Sequence, residues 1–351
     1  MPTDARMRPS RARLVGAGLV FLVGIAAAAG SASADLPGNP AWSPSGSEIA
    51  FPDMSEGQLA VMRASDGGGK RTLYSSNDAC CVPIVWAAGG RIVFVDGYRL
   101  FRVAASGGTK KRLFGDADWF ILSPNRKTIA FDDGCGCPES PDAVGLVSVS
   151  GGKPIIVPKP KTASDSIDGF SPGGKQLVFT RYPNPDGGTP TLMAEHVGGG
   201  KPVPFRRSGL TGASALPAGA ANVQWSPDGR WIAFEHAQKI EVVNTSGGTP
   251  RVLVPSLNSG DGFSWSPTSK QLAYVAYVSP GRARLATVDL QGHRKLLWNS
   301  ALNYQTQNSL AGPQWSPDGS KLVFAATTGL PSPTTYIWVI NANGTGLKKL
   351  A

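Results

Sequence analysis

Cysteine and histidine are scarce in this chain, with four and three residues among 351. The cysteines stand as Cys80-Cys81 and Cys135-Gly136-Cys137, and the histidines are scattered at His196, His236 and His293. Neither set has the spacing of a zinc centre. Charged residues are also few, at 17%, with 24 acidic against 34 basic. Together with 41% hydrophobic residues, this composition argues against wholesale disorder. Beyond residue 34 no apolar run approaches the roughly 20 residues that span a bilayer. What is plentiful is turn chemistry, 44 glycines and 29 prolines. That amount is foreign to coiled coils, and the lack of a third-position glycine period excludes collagen. The remaining class is a turn-rich all-β protein with a sizeable core.

The first 34 residues read as an address. Arg6, Arg8, Arg11 and Arg13 precede an apolar stretch from Leu14 to Ala29, and Ala32-Ser33-Ala34 forms an A-x-A cleavage signal. The expectation is a signal peptide over 1–34 cleaved after Ala34, and one domain over 35–351. The mature protein is then exported, periplasmic or extracellular, with no membrane span after cleavage. Without the leader, 30 basic residues face 23 acidic ones, so the formal charge falls from +10 to +7.

One unit recurs along the rest of the chain. Its core is a short apolar strand: Ile49-Ala50-Phe51, Ile92-Val93-Phe94, Ile129-Ala130-Phe131 and Leu177-Val178-Phe179 come first. Ile232-Ala233-Phe234, Leu272-Ala273-Tyr274 and Leu322-Val323-Phe324 follow, at a mean spacing of about 45 residues, the period of a four-stranded propeller blade. Before the strand comes an aromatic-Ser-Pro-x-Gly turn, as in Trp42-Ser43-Pro44-Ser45-Gly46 and Trp315-Ser316-Pro317-Asp318-Gly319. Proline presets the first corner and glycine takes the left-handed position that closes the hairpin. A later Gly-Gly turn leads to an outer strand. The expected fold is a seven-bladed β-propeller, with six blades plus a degenerate insert as the alternative, because blade two replaces the turn with Ala87-Ala88-Gly89-Gly90.

The strings at 225–234 and 315–324, Trp-Ser-Pro-Asp-Gly followed by Ile-Ala-Phe or Leu-Val-Phe, resemble the WD40-like repeat of the TolB-type β-propeller family. The resemblance covers nearly all of the mature chain and implies the propeller alone, without that family's additional N-terminal α/β domain. Prolyl oligopeptidases carry similar repeats together with a hydrolase domain bearing a G-x-S-x-G elbow; no such domain or elbow is expected here.

In an up-and-down blade with strands A to D, the A–B and C–D turns share one face. The B–C loops and D-to-A connections share the other. The second set is expected to be long and variable, and binding residues concentrate on such loops. Basic residues concentrate at the outer D strands, where they guard sheet edges, and at A–B turns. Acidic residues concentrate in the loops. This predicts a negative loop face suited to a cationic partner and not to nucleic acid. The ligand-face candidates are Asp78, Asp118, Asp168 and Asp261, with Trp119 and Tyr182; Tyr98 and Tyr304 are further exposed-aromatic candidates. Asp118, Asp168 and Asp261 are expected just before strand A, around the channel mouth, where the alternatives are solvated loop aspartates or a Ca²⁺ site. No other cofactor is expected.

The four cysteines suggest disulfides in an oxidising compartment. The favoured pairing joins Cys80 and Cys81 to Cys135 and Cys137; the alternatives are bridges within each pair or a metal site. No catalytic Ser-His-Asp set can be assembled from spacing. The reading is a monomeric binding scaffold for a protein or cell-envelope glycan. The alternative is a secreted hydrolase or lyase acting at the same face, marked by converging carboxylates or a carboxylate beside His236.

Overall fold

The computed structural model describes residues 40–53, 56–76, 83–133, 142–183, 190–205, 216–217, 219–257, 262–279, 282–299, 313–328 and 334–351. They form seven four-stranded antiparallel sheets. In each sheet the strands follow chain order from inner A to outer D, so the second blade is a full blade and the six-blade alternative falls. No α-helix occurs among the described residues, and none of them forms a helix long and apolar enough to cross a membrane.

Strand B of each blade carries the apolar triplet, and its middle residue faces the opposite seam from its neighbours. In blade four, Leu177 and Phe179 join the cluster shared with blade three. Val178 joins the one shared with blade five. Seven such clusters fill the seams. The ring closes where Trp42, Phe51 and Met62 of blade one meet Val323, Ile337 and Val339 of blade seven.

The aromatic before Ser-Pro works between blades. Trp42 Nε1 donates to the Gln314 carbonyl, Trp86 to Ala41, Trp265 to Gln224 and Trp315 to Ser264. Each acceptor directly precedes the turn tryptophan of the neighbouring blade, so these indoles pass from blade to blade as a repeated clasp. The serine caps its own hairpin: Ser43, Ser123, Ser171, Ser226, Ser266 and Ser316 are buried, and each Oγ accepts the backbone N–H five residues on. Arg126 and Ser269 take the left-handed corner in blades three and six, at φ of 59° and 60°, where the motif has glycine. The turns also touch one another. A Cβ on Gly229 would meet Pro172 of the preceding turn at 3.0 Å.

The outer strands include Arg71–Ser75, Lys111–Phe114, Arg251–Val254 and Lys348–Lys349. Much of the positive charge lies there and is absorbed locally. Lys110 Nζ sits over the Tyr74 and Phe101 rings, Arg251 over Trp231 and Lys349 over Tyr336. Such cation–π contacts hold these side chains against the outer strands.

Candidate functional site

Strand A is short in four blades and long in three. It spans Ala41–Trp42, Ile84–Ala87, Phe263–Trp265 and Gln314–Trp315 in blades one, two, six and seven. In blades three, four and five it spans Ala117–Leu122, Ser164–Phe170 and Ala221–Trp225. All three long strands are bulged against strand B. Asp132 pairs with Trp119 and Asp133 with Ala117, leaving Asp118 unpaired. Ile167 and Gly169 pair with Phe179 and Val178, leaving Asp168 unpaired. The shift in blade five falls between Ala221 and Gln224, around Asn222 at φ 50°. A bulge re-aims side chains next to a site.

The residue after the strand B triplet is apolar in the other blades: Pro52, Val95, Val275 and Ala325. In blades three, four and five it is Asp132, Thr180 and Glu235. Each of these binds a bulged strand A. Asp132 accepts the Ile167 N–H at 2.9 Å across the seam, and the Ser166 hydroxyl at 3.3 Å. Thr180 Oγ1 donates to Asp168 at 2.8 Å. Asn222 Nδ2 donates to Glu235 at 3.0 Å, and Gln224 continues the chain to Asn222 and the Phe263 carbonyl. These groups lie where strand A enters and strand B leaves, on the loop face.

Electrostatics in this sector are dominated by burial. Asp168 is 4% exposed; desolvation raises its carboxyl to about 7, although Thr180 and the Val223 amide donate to it. Burial, with Asp168 and Asp132 nearby, lifts the Tyr182 phenol to about 12. Desolvation also raises Asp133, reinforced by Asp116 and Asp142, and raises Glu235. Two cations answer this acidity. Lys159 lies near Asp133 and Asp142. Arg181 makes a bidentate pair with the fully buried Asp165 at 2.6 and 2.7 Å, and also donates to the Pro158 carbonyl.

The candidate residues fare unevenly. Asp168, Asp132 and Tyr182 come together. Trp119 lies beside them in blade three, half-buried, with its ring nitrogen buried and unpartnered. Asp118 and Asp168 lie within strand A, not ahead of it, and Asp168 is sealed between blades four and five instead of ringing an open mouth. Asp78, Asp261, Tyr304, Ala34 and all four cysteines, Cys80, Cys81, Cys135 and Cys137, lie outside the described residues. Among the described residues no cluster of His, Cys, Asp and Glu could hold a metal.

The B–C connections are not uniformly long. Blades two and five close with Gly97-Tyr98 and Ala237-Gln238, two-residue turns with positive φ at both positions. Their right-handed twist suits tight hairpins. Tyr98 is 58% exposed at one such tip. His236 flanks the other, with Nδ1 3.4 Å from Glu241, a contact within one hairpin.

The sequence reading missed Arg181, Asn222 and Glu235, whose polarity stands out only when the seven repeats are superposed. It also passed over Gly169-Phe170-Ser171-Pro172-Gly173, which has the G-x-S-x-G spacing. Ser171 there is buried in an A–B hairpin, its Oγ accepting the Gln176 N–H, and not on the strand-to-helix elbow of a hydrolase.

No family model matches this chain, and no curated protein does. Solved structures do. A putative TolB from Agrobacterium tumefaciens is 19% identical with a TM-score of 0.50, over 78% of this chain and 93% of that one. TolB from Acinetobacter baumannii is 19% identical with a TM-score of 0.52, over 73% of this chain and 64% of that one. A puromycin hydrolase S511A mutant complexed with PGG is 15% identical with a TM-score of 0.62, over 92% of this chain and 54% of that one. These are TolB-like and peptidase propellers, and the likeness establishes the fold.

Proposed function

We propose that this chain is an exported propeller that binds a protein or cell-envelope glycan on its B–C/D–A face, over blades three to five. The secretory pattern of residues 1–34 supports export, and the TolB-like neighbours support an interaction role. The observation that carries the placement is the polar replacement of one structural position in three successive blades, each replacement bonded to a bulged inner strand. Asp132 and Tyr182, braced from behind by the buried Asp168, favour a partner that presents a cationic or hydroxyl-rich group. The test is affinity capture from envelope extract and on isolated cell-wall glycan, with wild type, Asp132→Asn and Tyr182→Ala as baits. A specific partner recovered at least tenfold less by the variants is the expected result. Equal recovery by all three baits would sink the placement.

A second reading is favoured by one observation. Asp133 converges with Asp116 and Asp142, and burial together with their charge raises its carboxyl, an arrangement suited to a general acid. A hydrolase or lyase activity on peptides or glycans that survives Trp315→Phe and vanishes in Asp133→Asn would select it over the scaffold.

A further inference from the structure

Six of the seven blades fill one position of strand C with a buried apolar side chain. The residue of strand C paired with the first residue of the strand B triplet is Met62, Val103 and Val147 in blades one to three. It is Val243, Val288 and Ile340 in blades five to seven. Each of these six side chains is at most 2% exposed. In blade four the position is Glu195, paired with Leu177. It is nearly as buried, at 3%, and neither carboxylate oxygen has a hydrogen-bond partner of good geometry, the Gly200 amide making only a weak approach.

Pairing with Leu177 places Glu195 on the side of blade four that faces blade three. That seam is filled by Val144, Leu146, Val157 and Met193. The charged groups acting on Glu195 are Arg181 and Asp165, which are already bonded to each other. Among the described residues, blade three contributes no charged group of that kind. A carboxylate here has no counter-ion of its own, whereas a neutral acid meets only the smaller cost of a buried polar group.

We propose that the seam between blades three and four is a pH-sensitive joint, closed by protonated Glu195 and loosened when Glu195 ionises. Desolvation raises this carboxyl from the ordinary 4.5 to about 7, with the Gly200 amide and Arg181 opposing the rise in part. The folded form therefore holds its proton more tightly than the unfolded chain. The stabilisation is fully present below pH about 4.5 and is lost as pH rises through about 7.

The test compares amide exchange of residues 191–196, corrected for intrinsic rates, at pH 5.5 and 8.5. Wild type should lose protection by about ten- to thirty-fold between the two, the span that linkage allows for this shift. Glu195→Gln, or Glu195→Met should Gln fail to fold, should show a flat profile and greater protection at pH 8.5. In parallel, the Glu195 carboxyl carbon resonance of the labelled wild-type protein should titrate near pH 7. Parallel profiles in wild type and variant, or a carboxyl that titrates near 4.5, would overturn the proposal.

Discussion

Between blades seven and one, Trp42 crosses to the Gln314 carbonyl over a seam of valine, isoleucine and phenylalanine. Between blades three and four, Asp132 crosses to the Ile167 amide, and Arg181 pairs with a fully buried Asp165 on the blade-four side. The first arrangement recurs at four seams and uses one neutral hydrogen bond on an apolar interface. The second spends buried charge where the rest of the ring uses methyl groups. A net hydrogen bond contributes about 1 kcal/mol. A buried ion pair contributes little by itself and is costly to break. Blades six, seven, one and two are thus built for tolerance, and blades three to five for specific geometry.

Three substitutions would break or sharpen this contrast. Arg181→Met leaves Asp165 buried without its partner and should cost about 3–5 kcal/mol, read as a lowered urea midpoint at unchanged slope. Gly169→Ala comes next. Its Cβ would lie 2.7 Å from the Val223 carbonyl of the next blade, an overpacking expected to cost about 1–3 kcal/mol. Trp315→Phe removes the indole donor of one clasp and part of a buried ring, and should cost about 1–2 kcal/mol. If Trp315→Phe proved as damaging as Arg181→Met, the two halves would not differ in the way described.

Much of this architecture was legible in the sequence. The Ile-Ala-Phe triplets pointed to seven blades, because a strand buried on both faces is apolar at every position; only the full second sheet removed the six-blade alternative. The Ser-Pro-x-Gly turns fixed the hairpins, since proline and glycine have few alternatives there. The acidic sector was legible as a tendency and not as a place. Asp168 looks like any loop aspartate until the register shows that strand A carries one residue more than strand B. Bulges leave no composition signal; they show only as a mismatch in pairing. Glu195 was legible in principle, as the one charge in a column of six aliphatic residues. It becomes visible only when strand C is aligned blade against blade.

The closing seam has one consequence for the architecture as a whole. Among the described residues every sheet is built from four strands consecutive in the chain, and no strand is lent across the junction of blades seven and one. Side chains, the Trp42 clasp and the reach of Lys348 to the Ser65 carbonyl do the joining there. The ring therefore has no privileged starting blade: cut between any two blades and rejoined across that seam, it would retain every sheet intact.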